Sequence, residues 1–341
     1  MFIRKAVIVN EKPSQSDFET SPNHIVGELS DDWKTRRSEE YLRYRRDWDG
    51  VPENKIFLDF PLHLDIETTT RCNLKCPMCS RTFQVEDGTF EDFGFMTRKE
   101  YAKIIDEGVE HGVKAIKLNY LGEPLLHKDV VWQVEYAKKQ GVLDIMMNSN
   151  ASALTEKNSR DLLEAGLDNM FVSIDAINPA DFAVQRVGTT LGRVIDNTYN
   201  FIKLRDEIRP SCQVRLSMIM YDDPKWQKQY EALKVMWEGL ADAVNVNKYV
   251  ERAPDGQAEF PENPDFHCAM PFQRMILKYN GNVTMCCFDD HDEMILGNWR
   301  KEKLHDIWNS DAYKKIRQQH AENRYYEIDL CRKCPLPTMG E

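Results

Sequence analysis

Residues 64–80 read Leu-Asp-Ile-Glu-Thr-Thr-Thr-Arg-Cys-Asn-Leu-Lys-Cys-Pro-Met-Cys-Ser. The run from His63 to Glu67 has the length and apolar character of a strand, and the segment after it carries Cys72, Cys76 and Cys79 with gaps of three and two residues. Such spacing lets one irregular loop gather three thiolates around a metal centre. The number is informative. A structural zinc or an electron-transfer cluster takes four protein ligands, whereas three on a cubane leave one iron open to a substrate or cofactor. A zinc loop that borrows its fourth ligand, or three buried apolar cysteines, are the alternatives that spacing alone leaves open.

From about Phe57 to Val250 short apolar runs alternate with amphipathic stretches. The expected strands are His63 to Glu67, Ala115 to Asn119, Asp144 to Asn148, Asn169 to Ile174, Gln213 to Met218 and Ala243 to Asn247. Helical patterns cover Thr97 to His111, with a capping-box signature at Thr97 and Glu100, then Val130 to Gln140, Thr155 to Ala165, Leu191 to Arg209 and Pro224 to Leu240. Strands alternating with helices predict a parallel sheet that right-handed crossovers curl into a full or partial barrel. The expected fold class is α/β: a partial (β/α)6 barrel over 57–250, with its chemistry at the carboxyl ends of the strands. A polar arm (1–56) precedes it, read as partly helical and draped over the surface, with Arg43, Arg45 and Arg46 on a solvated face balanced by Glu39, Glu40 and Asp47. A small α+β domain (251–341) follows it after Ala253-Pro254-Asp255-Gly256 and Pro261 to Pro264 interrupt the periodicity. It holds strands Met275 to Tyr279 and Asn282 to Cys286 about an Asn280-Gly281 turn, and a helix over Leu304 to His320.

The 341 residues carry a net charge of -11, which disfavours generic binding to nucleic acid or anionic membranes. Apolar runs fall far short of the roughly 20 residues that span a bilayer, and the start, MFIRKAVIVNEK, is too weakly apolar for a secretory signal. A cytoplasmic location is expected. Nine clustered cysteines in such a chain favour metal ligation over disulfides.

Around its triple cysteine the sequence resembles the radical SAM superfamily. Asn73, Leu74 and Lys75 are typical of that loop, while Met78 stands where an aromatic is commonest. Tyr120-Leu-Gly122-Glu123-Pro124, after the second strand, resembles the family's Gly-Glu-Pro motif, whose backbone and carboxylate meet the ammonium of S-adenosylmethionine (SAM). Asn148-Ser-Asn150-Ala151 resembles a Thr-Asn-Gly step near the ribose, with Ala151 in place of glycine. Ser173-Ile-Asp175 resembles the Ser-x-Asp motif, and Arg186 the arginine for the SAM carboxylate. Taken singly, these are also ordinary helix-start charges, turn residues, caps and surface cations. The resemblance implies a [4Fe–4S] cluster on Cys72, Cys76 and Cys79, and SAM bound by Gly122, Glu123, Pro124, Asn150, Ser173, Asp175 and Arg186. It also implies an electron donor such as flavodoxin or ferredoxin, and reductive cleavage of SAM to a 5′-deoxyadenosyl radical that abstracts hydrogen from a C–H bond.

Cys268, Cys286, Cys331 and Cys334 suit a second, fully ligated [4Fe–4S] cluster and resemble the SPASM/twitch auxiliary domain, as do Gly297-Asn298-Trp299 and Leu304 to Trp308. No cysteine follows Cys334, so one auxiliary cluster is expected, with zinc the alternative. Cys212 reads as a core residue. The resemblance places Cys287 toward the substrate, where a thiol can return hydrogen to a radical; a small buried hydrophobe, or exchange of roles with Cys286, are the other readings. Asp289, with Asp290 and His291 nearby, is an acid–base candidate. The expected reaction is oxidation or epimerisation of a small hydroxylated substrate, such as a sugar, aminosugar or nucleotide-linked sugar. The alternatives are a peptide maturase, for which the first 55 residues look too short to form a leader-binding domain, and a non-catalytic iron–sulfur or zinc protein.

Overall fold

The computed structural model describes residues 24–28, 36–90, 93–249 and 263–338. Strands β1 (His24–Glu28), β2 (His63–Ile66), β3 (Ala115–Lys117), β4 (Asp144–Ser149), β5 (Asn169–Ser173), β6 (Gln213–Met220), β7 (Ala243–Lys248), β8 (Arg274–Leu277), β9 (Asn282–Thr284) and β10 (Gly297–Asn298) make one sheet, ordered β1-β7-β6-β5-β4-β3-β2-β8-β9-β10. The six strands from β2 to β7 are parallel and lie in chain order. Helices α1 (Glu39–Glu53), α2 (Ser80–Glu86), α3 (Arg98–Glu110), α4 (Val130–Lys139), α5 (Glu156–Ala165), α6 (Pro179–Gln185), α7 (Leu191–Ile208), α8 (Pro224–Trp237), α9 (Met270–Gln273), α10 (Leu304–Trp308), α11 (Asp311–Ala321) and α12 (Asp329–Arg332) accompany it. The α/β fold with a parallel core is as expected. Thr97 and Glu100 form the reciprocal capping box that opens α3.

Alternate residues of each strand face opposite ways. Leu64, Ile66, Ile116, Met147, Leu216 and Val246 point into the core that the crossover helices cover. The opposite face is polar yet buried, with His63, Asp65, Lys117, Asp144, Asn169 and Gln213 all out of solvent. Helix α1 closes it. Tyr41, Tyr44 and Trp48 pack with Ala115 and Ala243, and the Trp48 ring lies 5.5 Å from that of His63. The surface-draped reading of this segment is thus corrected: Arg43 and Arg46 are exposed, but Arg45 is buried over the rings of Tyr44 and Trp48. Apolar residues at 41, 44, 48 and 51 carry the helical period that drives this burial. Arg37, just before α1, donates to the Asp168 carbonyl at 3.0 Å and to Asn169 Oδ1 at 3.1 Å.

The C-terminal segment continues the same sheet. Strand β8 pairs in parallel with β2, Leu64 opposite Met275 and Ile66 opposite Leu277, and so covers an edge that would otherwise be open. The expected hairpin is present in β8 and β9, where Gly281 takes φ +98° and an added Cβ would lie 2.7 Å from the Asn298 side chain. The single helix expected over Leu304 to His320 is instead two, because the Ser310 hydroxyl accepts from Tyr313 N and starts α11 afresh. The expected linker over 251–262 and most of the first 35 residues lie outside the described residues.

Asp65 is fully buried and joins three strands, with His63 Nε2 at 3.0 Å, Lys117 Nζ at 3.1 Å and Arg274 Nη1 at 3.2 Å. Burial alone would raise its pKa, but Arg274, Lys117 and His63 outweigh it and hold the carboxyl below the usual range. Its stabilisation is therefore present above the unfolded carboxylate value of about 4 and is lost as the pH falls through the lower native value. Asp65→Asn should strand two buried cations and cost about 3–5 kcal/mol in anaerobic urea unfolding. A loss below about 1 kcal/mol would show that the ion cluster does not hold the strands together.

Candidate active site

The cysteine loop leaves the carboxyl end of β2 and is fixed from several sides. Lys75 N donates to the Val187 carbonyl at 2.9 Å, and Arg81 Nε donates to the Thr70 carbonyl at 2.6 Å. Cys72, Cys76 and Cys79 lie within electrostatic reach of one another. Burial raises the pKa of Cys72, and that of Cys76 to about 11 despite the opposing pull of Arg186. A cation at the site is what such a set requires to stay ionised.

Three further strand ends meet this loop. The 121–124 segment is stitched to it, since Glu123 N donates to the Arg71 carbonyl at 2.8 Å. Gly122 permits that approach: a Cβ there would stand 2.0 Å from the Thr69 carbonyl oxygen. Pro124 opens a short 3-10 turn behind it. Glu123 is buried, and its carboxylate accepts from Ser149 Oγ at 2.8 Å, Asn150 N at 2.8 Å and Leu125 N at 3.1 Å. Burial raises its pKa in spite of these donors. Asn150 Nδ2 reaches Asn73 Oδ1 at 3.1 Å and Cys72 Sγ at 3.9 Å. Ala151, where glycine was expected, takes φ +54° and is held there as Asn197 Nδ2 donates to its carbonyl at 2.8 Å. Ser173 ends β5 half-buried. Asp175 accepts from Ile219 N at 3.0 Å and pairs with Arg186, whose Nη1 lies 3.7 Å from Cys76 Sγ. Gly122, Glu123, Pro124, Asn150, Asp175 and Arg186, six of the seven residues that the resemblance assigned to SAM, thus surround or support the triple-cysteine loop.

The second set converges as well. Cys268, Cys286, Cys331 and Cys334 lie within electrostatic reach of one another, and burial raises Cys268 to about 12 and holds Cys286 and Cys331 well above the ordinary thiol value. Around one zinc ion, with Zn–S near 2.3 Å, sulfurs sit roughly 3.8 Å apart. Among the described residues, no three of the seven thiols in the two sets have their sulfurs all within 4.8 Å of one another. A centre of several irons needs its sulfurs farther apart than one zinc ion does. Asp59, His111 and His305 do lie that close, but the two imidazoles are stacked at 4.4 Å and 19°, so their in-plane lone pairs do not converge on one ion.

Cys287 is exposed beside this second set, and its carbonyl accepts from Tyr120 Oη at 3.3 Å. Asp289 is turned inward instead. Its carboxylate accepts from Glu293 N at 2.7 Å, Thr284 Oγ1 at 2.8 Å and Met294 N at 3.2 Å, and so organises the 284–294 loop. That loop leans on α2, where Gln84 Nε2 donates to the Asp290 carbonyl at 3.1 Å. Cys212 is a core residue, as expected.

Two contributors were missed in the sequence. Glu67 is buried at the end of β2 and accepts from Leu121 N at 3.1 Å and Tyr279 N at 2.9 Å, while burial pushes its carboxyl up to about 7. Its place directly before the cysteine loop was the available signal. His320 is fully buried between Cys268 and Cys331, and burial pushes it down to about 3, so the ring is neutral. No spacing announced it.

Comparison with known proteins agrees with this geometry. The model of the radical SAM superfamily matches residues 66–220, and that of the SPASM iron–sulfur cluster-binding domain matches residues 268–335. The chain carries a radical SAM domain followed by a SPASM domain. Relatives include a probable GTP 3′,8-cyclase of Methanococcus maripaludis, 35% identical over 130 residues, which are 38% of this chain and 41% of that one. The chain thus spans about two fifths of the length of that curated relative. A tungsten-containing aldehyde ferredoxin oxidoreductase cofactor-modifying protein of Pyrococcus furiosus is 22% identical over 80% of this chain and 87% of its own. The structure of Streptococcus suis SuiB bound to S-adenosylmethionine superposes with a TM-score of 0.58 at 16% identity, covering 89% of this chain and 79% of that one, and shares the fold. The radical SAM cofactors are a [4Fe–4S] cluster and SAM, and the SPASM domain adds auxiliary iron–sulfur binding. Among the described residues no helix is long and apolar enough to cross a membrane.

Replacing Cys72, Cys76 and Cys79 together by alanine should lower iron in anaerobically reconstituted protein from about eight to about four per chain and abolish 5′-deoxyadenosine formation from SAM. Retention of about eight irons would mean that another set of side chains holds the first cluster. Gly122→Ala should keep the second cluster and weaken SAM binding at the first, because the 69–71 carbonyls must move away.

Proposed function

We propose that this radical SAM protein isomerises a small hydroxylated substrate, such as a sugar or nucleotide-linked sugar, in the space between its two cysteine sets. Cys72, Cys76 and Cys79 hold the catalytic cluster, and Cys268, Cys286, Cys331 and Cys334 the auxiliary one. The carrying observation is the exposed Cys287 thiol, set beside the second group of cysteines and tied through Tyr120 to the Gly122-Glu123 loop of the first. Cys286, within electrostatic reach of all three partner cysteines, is the ligand of the adjacent pair. That relatives matched over part of the chain are named for a reaction on GTP supports a hydroxylated small molecule as substrate.

When bound, the cluster and SAM supply the 5′-deoxyadenosyl radical that removes a hydrogen atom from the substrate. Gly122 and the 121–124 backbone, with Asn150, orient SAM against the cysteine loop, and Arg186, held by Asp175, offers its remaining N–H groups to the SAM carboxylate. Cys287 then gives its S–H hydrogen to the opposite face of the substrate radical, inverting that carbon. The sulfur left behind recovers its thiol with one electron from the donor and one proton from water. Each turnover therefore consumes two electrons, one for SAM cleavage and one for the thiol. The exposure of Cys287 allows that proton to arrive. Asp289, committed to its loop, is left out of this sequence. The competing outcome is oxidation, in which the substrate radical loses an electron and a proton and the auxiliary cluster accepts the electron.

With dithionite-reduced protein and substrate in deuterated water, product should carry one solvent deuterium. Cys287→Ala should lose product while 5′-deoxyadenosine still forms. Unlabelled, oxidised product that persists in the variant would select the oxidation instead. No 5′-deoxyadenosine from the parent protein would remove radical chemistry altogether.

A further inference from the structure

Helix α11 carries His320 one residue before its end and delivers the ring, fully buried, between two cysteines of the second set. The helix is firmly seated: Tyr313 Oη donates to the Arg274 carbonyl at 3.0 Å, and Arg317 Nη2 donates to the Trp308 carbonyl at 2.6 Å. The ring of Tyr325 lies near-parallel to the imidazole, 16° from it at 6.3 Å.

Two contacts fix which ring nitrogen carries the hydrogen. Cys268 N is 3.2 Å from Nδ1, and a backbone N–H can only donate, so Nδ1 is the acceptor. In a neutral imidazole the hydrogen then sits on Nε2, which lies 3.6 Å from Cys331 Sγ. The Nε2–H therefore points from a fully buried ring at the sulfur of a buried cysteine. One ring thus orients two cysteines, Cys268 through its backbone and Cys331 through its sulfur.

We propose that His320 is a positioning residue of the auxiliary centre, whose Nε2–H donates to the Cys331 thiolate and raises the reduction potential of the cluster held there. The inference rests on the reading that these four cysteines bind a cluster. Reduction adds one electron, and part of its charge falls on the ligand sulfurs. A donor aimed at one of them stabilises the reduced state more than the oxidised state, and low polarity around it strengthens the effect. No proton moves in this step. An auxiliary centre held at a higher potential is the better acceptor for an electron leaving the substrate, and it is easier for the donor to reduce.

The test uses full-length, anaerobically reconstituted protein. Iron is counted first, and the auxiliary signal is then identified in paramagnetic resonance as the one that added SAM leaves unchanged. Gln places an N–H donor near the position of Nε2, Asn places an acceptor near that of Nδ1, and Leu supplies neither. At the potential where the parent auxiliary cluster is half reduced, His320→Leu and His320→Asn should show a roughly tenfold lower ratio of reduced to oxidised cluster, about 59 mV for one electron. His320→Gln should stay close to the parent. Unchanged potentials in Leu and Asn variants that keep full iron overturn the proposal. Should those variants lose the cluster, parent protein labelled with 15N-histidine decides: a histidine nitrogen coupling on the reduced auxiliary signal, absent in His320→Gln, supports the bond, and no such coupling overturns it. A parent with only one cluster's iron sinks the four-cysteine reading itself, and the iron count distinguishes that failure from a silent His320.

Discussion

A single buried carboxylate holds the two halves of the site in register. Glu67 directly follows β2, the strand with barrel neighbours on one side and the C-terminal hairpin on the other. One of its oxygens accepts from Leu121 N, at the start of the loop stitched to the cysteine loop, and the other accepts from Tyr279 N, at the turn of the hairpin. Burying a carboxylate is costly, and its pKa shows the strain. The compensation is directional. Two backbone N–H groups from segments 158 residues apart in sequence are satisfied by one side chain, so the barrel loop and the hairpin cannot shift independently without orphaning a buried donor. Tyr120, which reaches the Cys287 carbonyl, directly precedes one arm of that joint, and the hairpin turn forms the other.

The same strand explains the division of the sheet into an apolar and a charged face. Residues 64 and 66 serve the helix-covered core, while 63 and 65 face α1, where Asp65 collects Lys117 and Arg274 from the strands on either side. A buried charge cluster of this kind is poor as a source of net stability but strict about partners: slippage of β3 or β8 by one residue would turn its cation to the apolar face. The sheet order at β2, and hence the place where the cysteine loop emerges, is enforced electrostatically.

Sequence made the periodic and the local legible. The six parallel strands, their helices, the Thr97 cap and the hairpin at Gly281 all follow from signals within a few residues, and the cysteines declare themselves by spacing. The role of α1 was missed because its charged residues were weighed above the apolar residues at 41, 44, 48 and 51, and the break before α11 because Ser310 was read as helix interior. Glu67, Arg37 and His320 belong to another category. The backbone groups they meet lie 52 or more residues away, and although Cys331 is only 11 residues beyond His320, no short window of sequence contains the full set of contacts. The resemblance assigned residues to SAM from sequence alone, but the reason Gly122 must be glycine, the Thr69 carbonyl oxygen where its Cβ would stand, needed the folded chain.

Burial also couples the cysteines to assembly. Desolvation leads the forces that raise the Cys72, Cys76, Cys268, Cys286 and Cys331 thiols, and mutual repulsion adds to it. Such sites resist becoming thiolates until a multiply charged cationic group arrives, and they bind it tightly because ligation relieves both penalties together. On the proposed reading that these cysteines ligate a cluster, folding of the region around Cys268 and Cys331 and filling of its centre are linked equilibria, and the neutral His320 between them fits that order of events. A charged imidazole would help thiolates form in the empty site, whereas a neutral one with its hydrogen toward Cys331 is matched to a ligand already bound to metal. The ring is built for the loaded protein, which is the state in which a potential can be tuned.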